Sequence, residues 1–331
     1  MSSLFNLGSE MEFAAIVPFE QGTEEWLQWR RNGIGASDVA CVVGESPWGS
    51  NLKLWAIKTG LAKEESNDSE DMYWRHKMEL PILERYLENH PECKLEARSP
   101  CFQRSDVQFM LASLDAITSD SFGNINTEIK TAASEDGWID NDGEPTIPSH
   151  YMCQALWQMM VTGIQRTRFA VLISGFNKKY FEREIVYDDN AAQILFNAAT
   201  FFWTGVVENT PPPPDLNNPE QDSKAISSIY SKVDESQICT ISNDFYVNLT
   251  RRAALKEQLE HIQNEIATIE NGIKMLGGNS KIVQTEDGRK ICSKSIIEKV
   301  TINPEDLRRE NPALYIRLKN ETRYPRWTFA R

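Results

Sequence analysis

A layered α/β (α+β) domain, followed by a separate helical and β-hairpin region, is the fold class this 331-residue sequence predicts. Three observations carry the prediction. Helical and strand patterns alternate over the first two-thirds of the chain, which is how sheets flanked by helices are written. Four consecutive prolines at 211–214 then break the pattern, and proline can neither continue a helix nor donate to a sheet ladder. Beyond them Leu255, Leu259, Ile262, Ile266, Ile269, Ile273 and Leu276 recur at alternating spacings of four and three, ending at Gly277-Gly278, a heptad seam on one long helix. The expected division is a core domain over 1–210, a proline-rich linker over 211–240 and an accessory region over 241–331.

In chain order, EQGTEEWLQWRRNGIGASDVACVVG reads as a short helix, a glycine-bearing loop and a helix opening at Ser37 or Asp38. NLKLWAIKTG is a helix ended by Gly60, and MYWRHKMELPILERYLENH a longer one. Strands are expected near 97–104, 109–117, 125–130 and 167–173, the last paired with 179–186. Helices are expected over 149–162 and 188–207. KIVQTEDGRKICSKS reads as a β-hairpin turning at Asp287-Gly288. GIGASD and GNINTEIK fit neither the Walker nor the dinucleotide-binding pattern.

With 40% hydrophobic and 25% charged residues, the composition is that of a soluble globular protein able to bury a core. No run approaches the ~18 apolar residues of a membrane span. The start, MSSLFNLGSEMEF, lacks the features of a signal peptide. Cys41, Cys93, Cys101, Cys153, Cys239 and Cys292 are scattered without a CxxC pair, so reduced thiols in a cytoplasmic protein are expected. The net charge of −13 is uneven. From Lys281 to Arg331, 12 Lys and Arg face 7 Asp and Glu, a balance of +5, which leaves −18 on residues 1–280. This permits a locally basic surface without proving one.

The stretch SLDAITSDSFGNINTEIKTA, Ser113–Ala132, places charge inside runs that otherwise read as buried strands. On a strand, residues two apart share a face, so Glu128 and Lys130 point one way and Ile129 the other, into the core. The turn SDSFGN folds the Asp115 strand back beside them. Two carboxylates brought together repel and lose solvation unless something neutralises them. A divalent cation with oxygen ligands does so, and magnesium prefers few carboxylates plus waters and phosphates. Taken alone, the pattern has a second reading: exposed strand ends with a surface salt bridge from Lys130 to either acid. Other residues have bland readings too. Arg30 pairs with Glu24 or Glu25 on its own helix; Ser37-Asp38 is an N-cap; Glu79 is a first-turn acid favoured by the helix dipole; Gln154 and Gln158 are polar positions on an amphipathic helix. Trp55, Trp74, Trp138 and Trp157 read as core, with a DNA contact left open for Trp138 in its loop.

Four blocks together resemble the lambda exonuclease/YqaJ-like viral recombinase family of the PD-(D/E)xK nuclease superfamily. WLQWRRNGIGASDVACVVGESPW is similar to that family's W-x3-R…(G/T)AS(D/E)V block. WRHKMELPILERY carries Glu79 where the family has a helix glutamate. Asp115 with Glu128-Ile129-Lys130 is its central motif, and PSHYMCQALWQMMVTG is similar to its Y-x-x-Q helix. These blocks span about 24–165, and the layered-domain resemblance extends to about 207. The resemblance implies that Asp115, Glu128, the backbone carbonyl of Ile129 and Glu79 hold Mg²⁺ (Mn²⁺ as substitute), with two ions per site. It implies that Lys130 orients or activates the attacking water and that Gln154 fixes that water or Lys130. Arg30, Ser37 and Ser113 would hold a terminal 5′-phosphate. The activity implied is 5′→3′ degradation of double-stranded DNA ends, leaving 3′ single-stranded tails for phage-type or mobile-element recombination in a bacterial host. A ring-shaped homotrimer and a single-strand annealing protein as partner are implied with it. An endonuclease of the same fold and a non-catalytic end-binding accessory protein are the alternatives. Two departures stand out: Asp136 occupies the position of a further phosphate-binding arginine, and the chain continues beyond Pro214 with a basic tail ending RYPRWTFAR.

Overall fold

The computed structural model describes residues 14–63, 69–140, 142–175, 178–298 and 303–320. The elements follow in chain order as β1 (Ala14–Val17), α1 (Glu24–Arg31), α2 (Val39–Val42), α3 (Asn51–Lys58), α4 (Glu70–Asn89), β2 (Lys94–Arg98), β3 (Cys101–Arg104), β4 (Leu111–Ser113), β5 (Ala116–Asp120), β6 (Gly123–Ala132), α5 (Ser149–Thr162), β7 (Arg166–Ile173), β8 (Lys179–Val186), α6 (Asp189–Val207) and α7 (Pro219–Ile229). They make up a first unit, Met1–Tyr230. The second, Ser231–Arg331, contains α8 (Tyr246–Gly277), β9 (Ile282–Gln284), β10 (Lys290–Ser293), α9 (Pro304–Glu310) and α10 (Pro312–Leu318).

The main sheet has the order β2-β5-β6-β7-β8. Strand β6 is central: it pairs antiparallel with β5 and parallel with β7. A parallel neighbour needs a crossover, and α5 lies in that connection. The two faces of β6 are covered by different helices. Ile129 packs with Ile82, Leu83 and Tyr86 of α4. On the other face, Phe169, Val171 and Ile173 of β7 pack with Ala155 of α5 and with Trp138. Each fully buried side chain of this size contributes roughly 1.5–3 kcal/mol through lost hydration, so the two helices fix the sheet from both sides.

A second, three-stranded sheet runs β1-β3-β4. The expected strands 97–104 and 109–117 are each split between the two sheets, as β2 with β3 and β4 with β5. The cause is local. Pro100 has no N–H to give to a ladder, and Ser99 before it takes a positive φ of 50°. The paired strand turns at the same place, held by Ser99 N–H to the Asp115 carbonyl at 2.9 Å and Leu114 N–H to the Pro100 carbonyl at 3.0 Å. Asp115 therefore stands at a corner between sheets.

Three expectations need correction. The prolines at 211–214 do not end the first unit: α7 follows within the expected linker, and its Asp222 and Ala225 are buried because Ala225 joins the main core beside α3 and α6. Trp74 is not core but 58% exposed on α4, edge-on to Tyr73. Trp138 is 4% exposed beneath Tyr151, which leaves no ring face for DNA. Strand β1 was not expected, and its pairing with β3 is a tertiary choice. The expected tail 323–331 lies outside the described residues. Among the described residues no helix is long and apolar enough to cross a membrane.

Candidate active site

The antiparallel register of β5 on β6 ends at Ala116 opposite Thr127. One residue earlier the chain has already turned, and the Asp115 side chain takes over from the ladder: its Oδ2 accepts the Ile129 N–H at 2.8 Å. This places Asp115 beside the Glu-Ile-Lys segment, as the sequence pattern required. Glu128 is 1% exposed, which rules out an exposed strand end. Its Oε1 accepts from Lys130 Nζ at 2.5 Å and from Gln154 Nε2 at 2.6 Å, and its Oε2 accepts from Gln158 Nε2 at 2.8 Å. A buried carboxylate loses its hydration and needs such donors in return. Lys130 also sits over the Tyr151 ring at 4.7 Å.

Gln158 is the residue the sequence reading left as a plain polar position. It is fully buried, donates also to the Ser113 carbonyl at 3.1 Å and accepts from Asn126 Nδ2 at 2.9 Å. Its spacing of four from Gln154, which puts both on one helix face, was the available signal. Tyr151, three residues before Gln154, is the tyrosine of the Y-x-x-Q pattern, which marked it without assigning it a role.

The electrostatics explain the arrangement. Burial, with Glu128 nearby and a smaller push from Glu79, raises the Asp115 carboxyl to about 8 against the opposing Lys130 and Ile129 N–H. Burial alone would lower the Lys130 ammonium, but Glu128 and Asp115 outweigh it and hold the group above its ordinary value. One lysine charge therefore does not suffice for the two acids. An all-oxygen donor set short of positive charge fits a hard divalent cation. Glu79 lies well inside α4, not in its first turn, and its Oε1 is paired with His76 Nδ1 at 2.9 Å.

A second cluster surrounds Arg30. The guanidinium donates to Ser37 Oγ at 3.0 Å and to Asp38 Oδ1 at 2.8 Å, and lies 4.8 Å over the Trp26 ring. Trp26 Nε1 donates to Ser113 Oγ at 3.0 Å. The three residues predicted to hold phosphate are thus linked through Trp26, and Ser113 ties them to the Asp115 corner two residues on. Arg30 pairs with Asp38 at 2.8 Å. Asp38 does not cap α2 with its side chain; it accepts the Gly35 N–H at 3.0 Å and Lys58 Nζ at 2.7 Å. Burial would raise the Asp38 carboxyl, but Lys58 and Arg30 outweigh burial and hold it at about 2. Asp38 is thus shared by two cations, Arg30 and Lys58. Asp136 accepts from Ser134 Oγ at 2.8 Å on an exposed loop.

The site is thus a carboxylate–lysine centre at a strand corner of a mixed sheet held between helices. Residues 25–165 match the YqaJ-like viral recombinase domain, and all nine predicted site residues lie inside the matched stretch. Over 314 residues the chain is 24% identical to the uncharacterized protein YqaJ of Bacillus subtilis (strain 168), covering 93% of this chain and 94% of that one. Among solved structures it is similar to an alkaline exonuclease from Laribacter hongkongensis, at 20% identity over 57% of this chain and 94% of that one, with a TM-score of 0.44. A phage-related exonuclease from Haemophilus somnus is 8% identical over 54% of this chain and 96% of that one, with a TM-score of 0.38.

Proposed function

We propose that this chain is a metal-dependent exonuclease that degrades double-stranded DNA ends 5′→3′ and leaves 3′ tails for recombination. The observation that carries the reading is the buried Glu128, held by Lys130, Gln154 and Gln158 beside Asp115. Asp115, Glu128, the Ile129 carbonyl and Glu79 are the residues that would hold magnesium, or manganese in its place. Bound there, the metal would polarise the phosphodiester and activate water for hydrolysis. Lys130, raised above its ordinary range, works as a cation: it orients water and steadies charge on the phosphate instead of removing a proton. Gln154, hydrogen-bonded to the same Glu128 oxygen, fixes the position of the lysine. Arg30, Ser37 and Ser113 would hold the terminal 5′-phosphate, and this gives the polarity. The expected partners are a single-strand annealing protein and further copies of the chain in a ring.

The test uses linear duplex labelled at one 5′ end, with and without 5′-phosphate, in Mg²⁺. Wild type should release labelled mononucleotide, faster from phosphorylated ends. Lys130→Ala should lose about 10²–10⁴-fold in rate, and chelation with EDTA should abolish release. Equal cutting by Lys130→Ala would refute the site; cutting of supercoiled circles would make the protein an endonuclease.

A further inference from the structure

Helix α8 runs unbroken from Tyr246 to Gly277 with no buried residue. Leu255, Leu259, Ile262, Ile266 and Ile269 are each 51–65% exposed and Leu276 is 89% exposed. From Leu255 to Leu276 the seam extends about 32 Å at 1.5 Å per residue. A solvated apolar stripe of this length marks an interaction surface. Within the second unit, among the described residues, α9 and α10 have seven residues each, about 10 Å apiece, too short to cover it. The spacing of 3.5 is that of a helix packed on another helix of similar length.

We infer that α8 pairs antiparallel with α8 of a second copy of this chain. The charges flanking the seam choose the occupant and its direction. Leu259, Ile266 and Ile273 take one seam position, and Leu255, Ile262, Ile269 and Leu276 the other. Arg251, Gln258 and Glu265 flank on one side, and Lys256, Gln263 and Glu270 on the other. A parallel pair in register sets Arg251 against Lys256 and Glu265 against Glu270 of the other copy, like charges at both ends of the seam. An antiparallel pair with full overlap packs Ile262 on Ile266, Leu259 on Ile269 and Leu255 on Ile273. It sets Lys256 opposite Glu270 of the second copy, and Glu270 opposite Lys256, as a two-fold axis requires. Glu265 then meets its own copy at the centre, with His261 Nδ1 3.7 Å away on the same helix. Two attractive contacts against one repulsive favour this direction. In a parallel arrangement isoleucine at both seam positions favours three strands, so the three-stranded form is the competitor to exclude. The inference does not depend on the nuclease reading.

The test is the mass of the full chain in solution by sedimentation equilibrium. Ile266→Asp puts a carboxylate into the seam; the mass should fall twofold from that of wild type, with a dissociation constant raised roughly 100-fold or more. Lys256→Glu and Glu270→Lys should each weaken association several-fold, and the double variant should recover it. An unchanged mass in Ile266→Asp, a fall to one-third, or a double variant weaker than either single one would overturn the inference.

Discussion

Toward α4, strand β6 presents Thr127 and Ile129. Ile129 packs on Ile82, Leu83 and Tyr86, and Thr127 Oγ1 shares a hydrogen bond with Thr118 Oγ1 at 2.8 Å. Toward α5 the same strand presents Asn126, Glu128 and Lys130, each matched by a side chain of that helix: Gln158, Gln154 with Gln158, and Tyr151. Both faces are buried, yet one is filled with hydrocarbon and the other with charge. The first gains free energy by losing water. The second loses solvation that donors and one lysine only partly return, since Asp115 still rises to about 8. A strand that concentrates this cost on one face has been shaped by something other than stability, and the opposite face supplies the stability that tolerates it.

That contrast can be broken residue by residue. Lys130→Ala, with its large loss of rate, should leave thermal unfolding far less affected than Ile129→Ala next to it. Ile129→Ala opens a cavity under α4 and should cost about 2–4 kcal/mol, lowering Tm by roughly 5–15 °C, with activity kept below that transition. A scan in which Lys130→Ala were the more destabilising of the two would erase the distinction between the faces. Gln158→Leu belongs to both sides: it strips a donor from Glu128 and from the Ser113 carbonyl, so roughly 1–3 kcal/mol of stability and about 10-fold or more in rate should go together. If rate alone fell, Gln158 would have no structural share. Tyr86→Phe removes the hydroxyl that Arg168 Nη1 reaches at 3.0 Å on the α4 side; about 1 kcal/mol should be lost and the rate per folded molecule should not move.

A further expected effect concerns pH at the Arg30 cluster. The Asp38 carboxyl is held at about 2 in the folded chain, below its unfolded value of about 3.9. Its contribution is therefore complete above about pH 5 and is lost as pH falls toward 2; it amounts to roughly 2–3 kcal/mol. Urea midpoints measured between pH 5 and pH 3 should decline less steeply in Asp38→Asn than in wild type. Parallel declines would show that Lys58 and Arg30 do not depend on this acid.

Much of this was legible in the chain. The alternation of Glu128, Ile129 and Lys130 determined which side chain enters the apolar layer, because a strand has a period of two whatever surrounds it. The heptad of α8, the Asp287-Gly288 turn and the helices over 149–162 and 188–207 followed from equally local rules. Other features depended on residues distant in sequence. Nothing near Asp115 announces that its strand breaks between two sheets; the break is imposed by Pro100 on the neighbouring strand. Nothing near Asp38 shows that it takes Arg30, since Lys58 must arrive from α3 to complete the group. Gln158 looked like any polar residue on a helix until Glu128, thirty residues away, was found against it. Periodicity is a property of the backbone and is written locally, whereas partners for buried charge are a property of packing and are settled only when the elements meet.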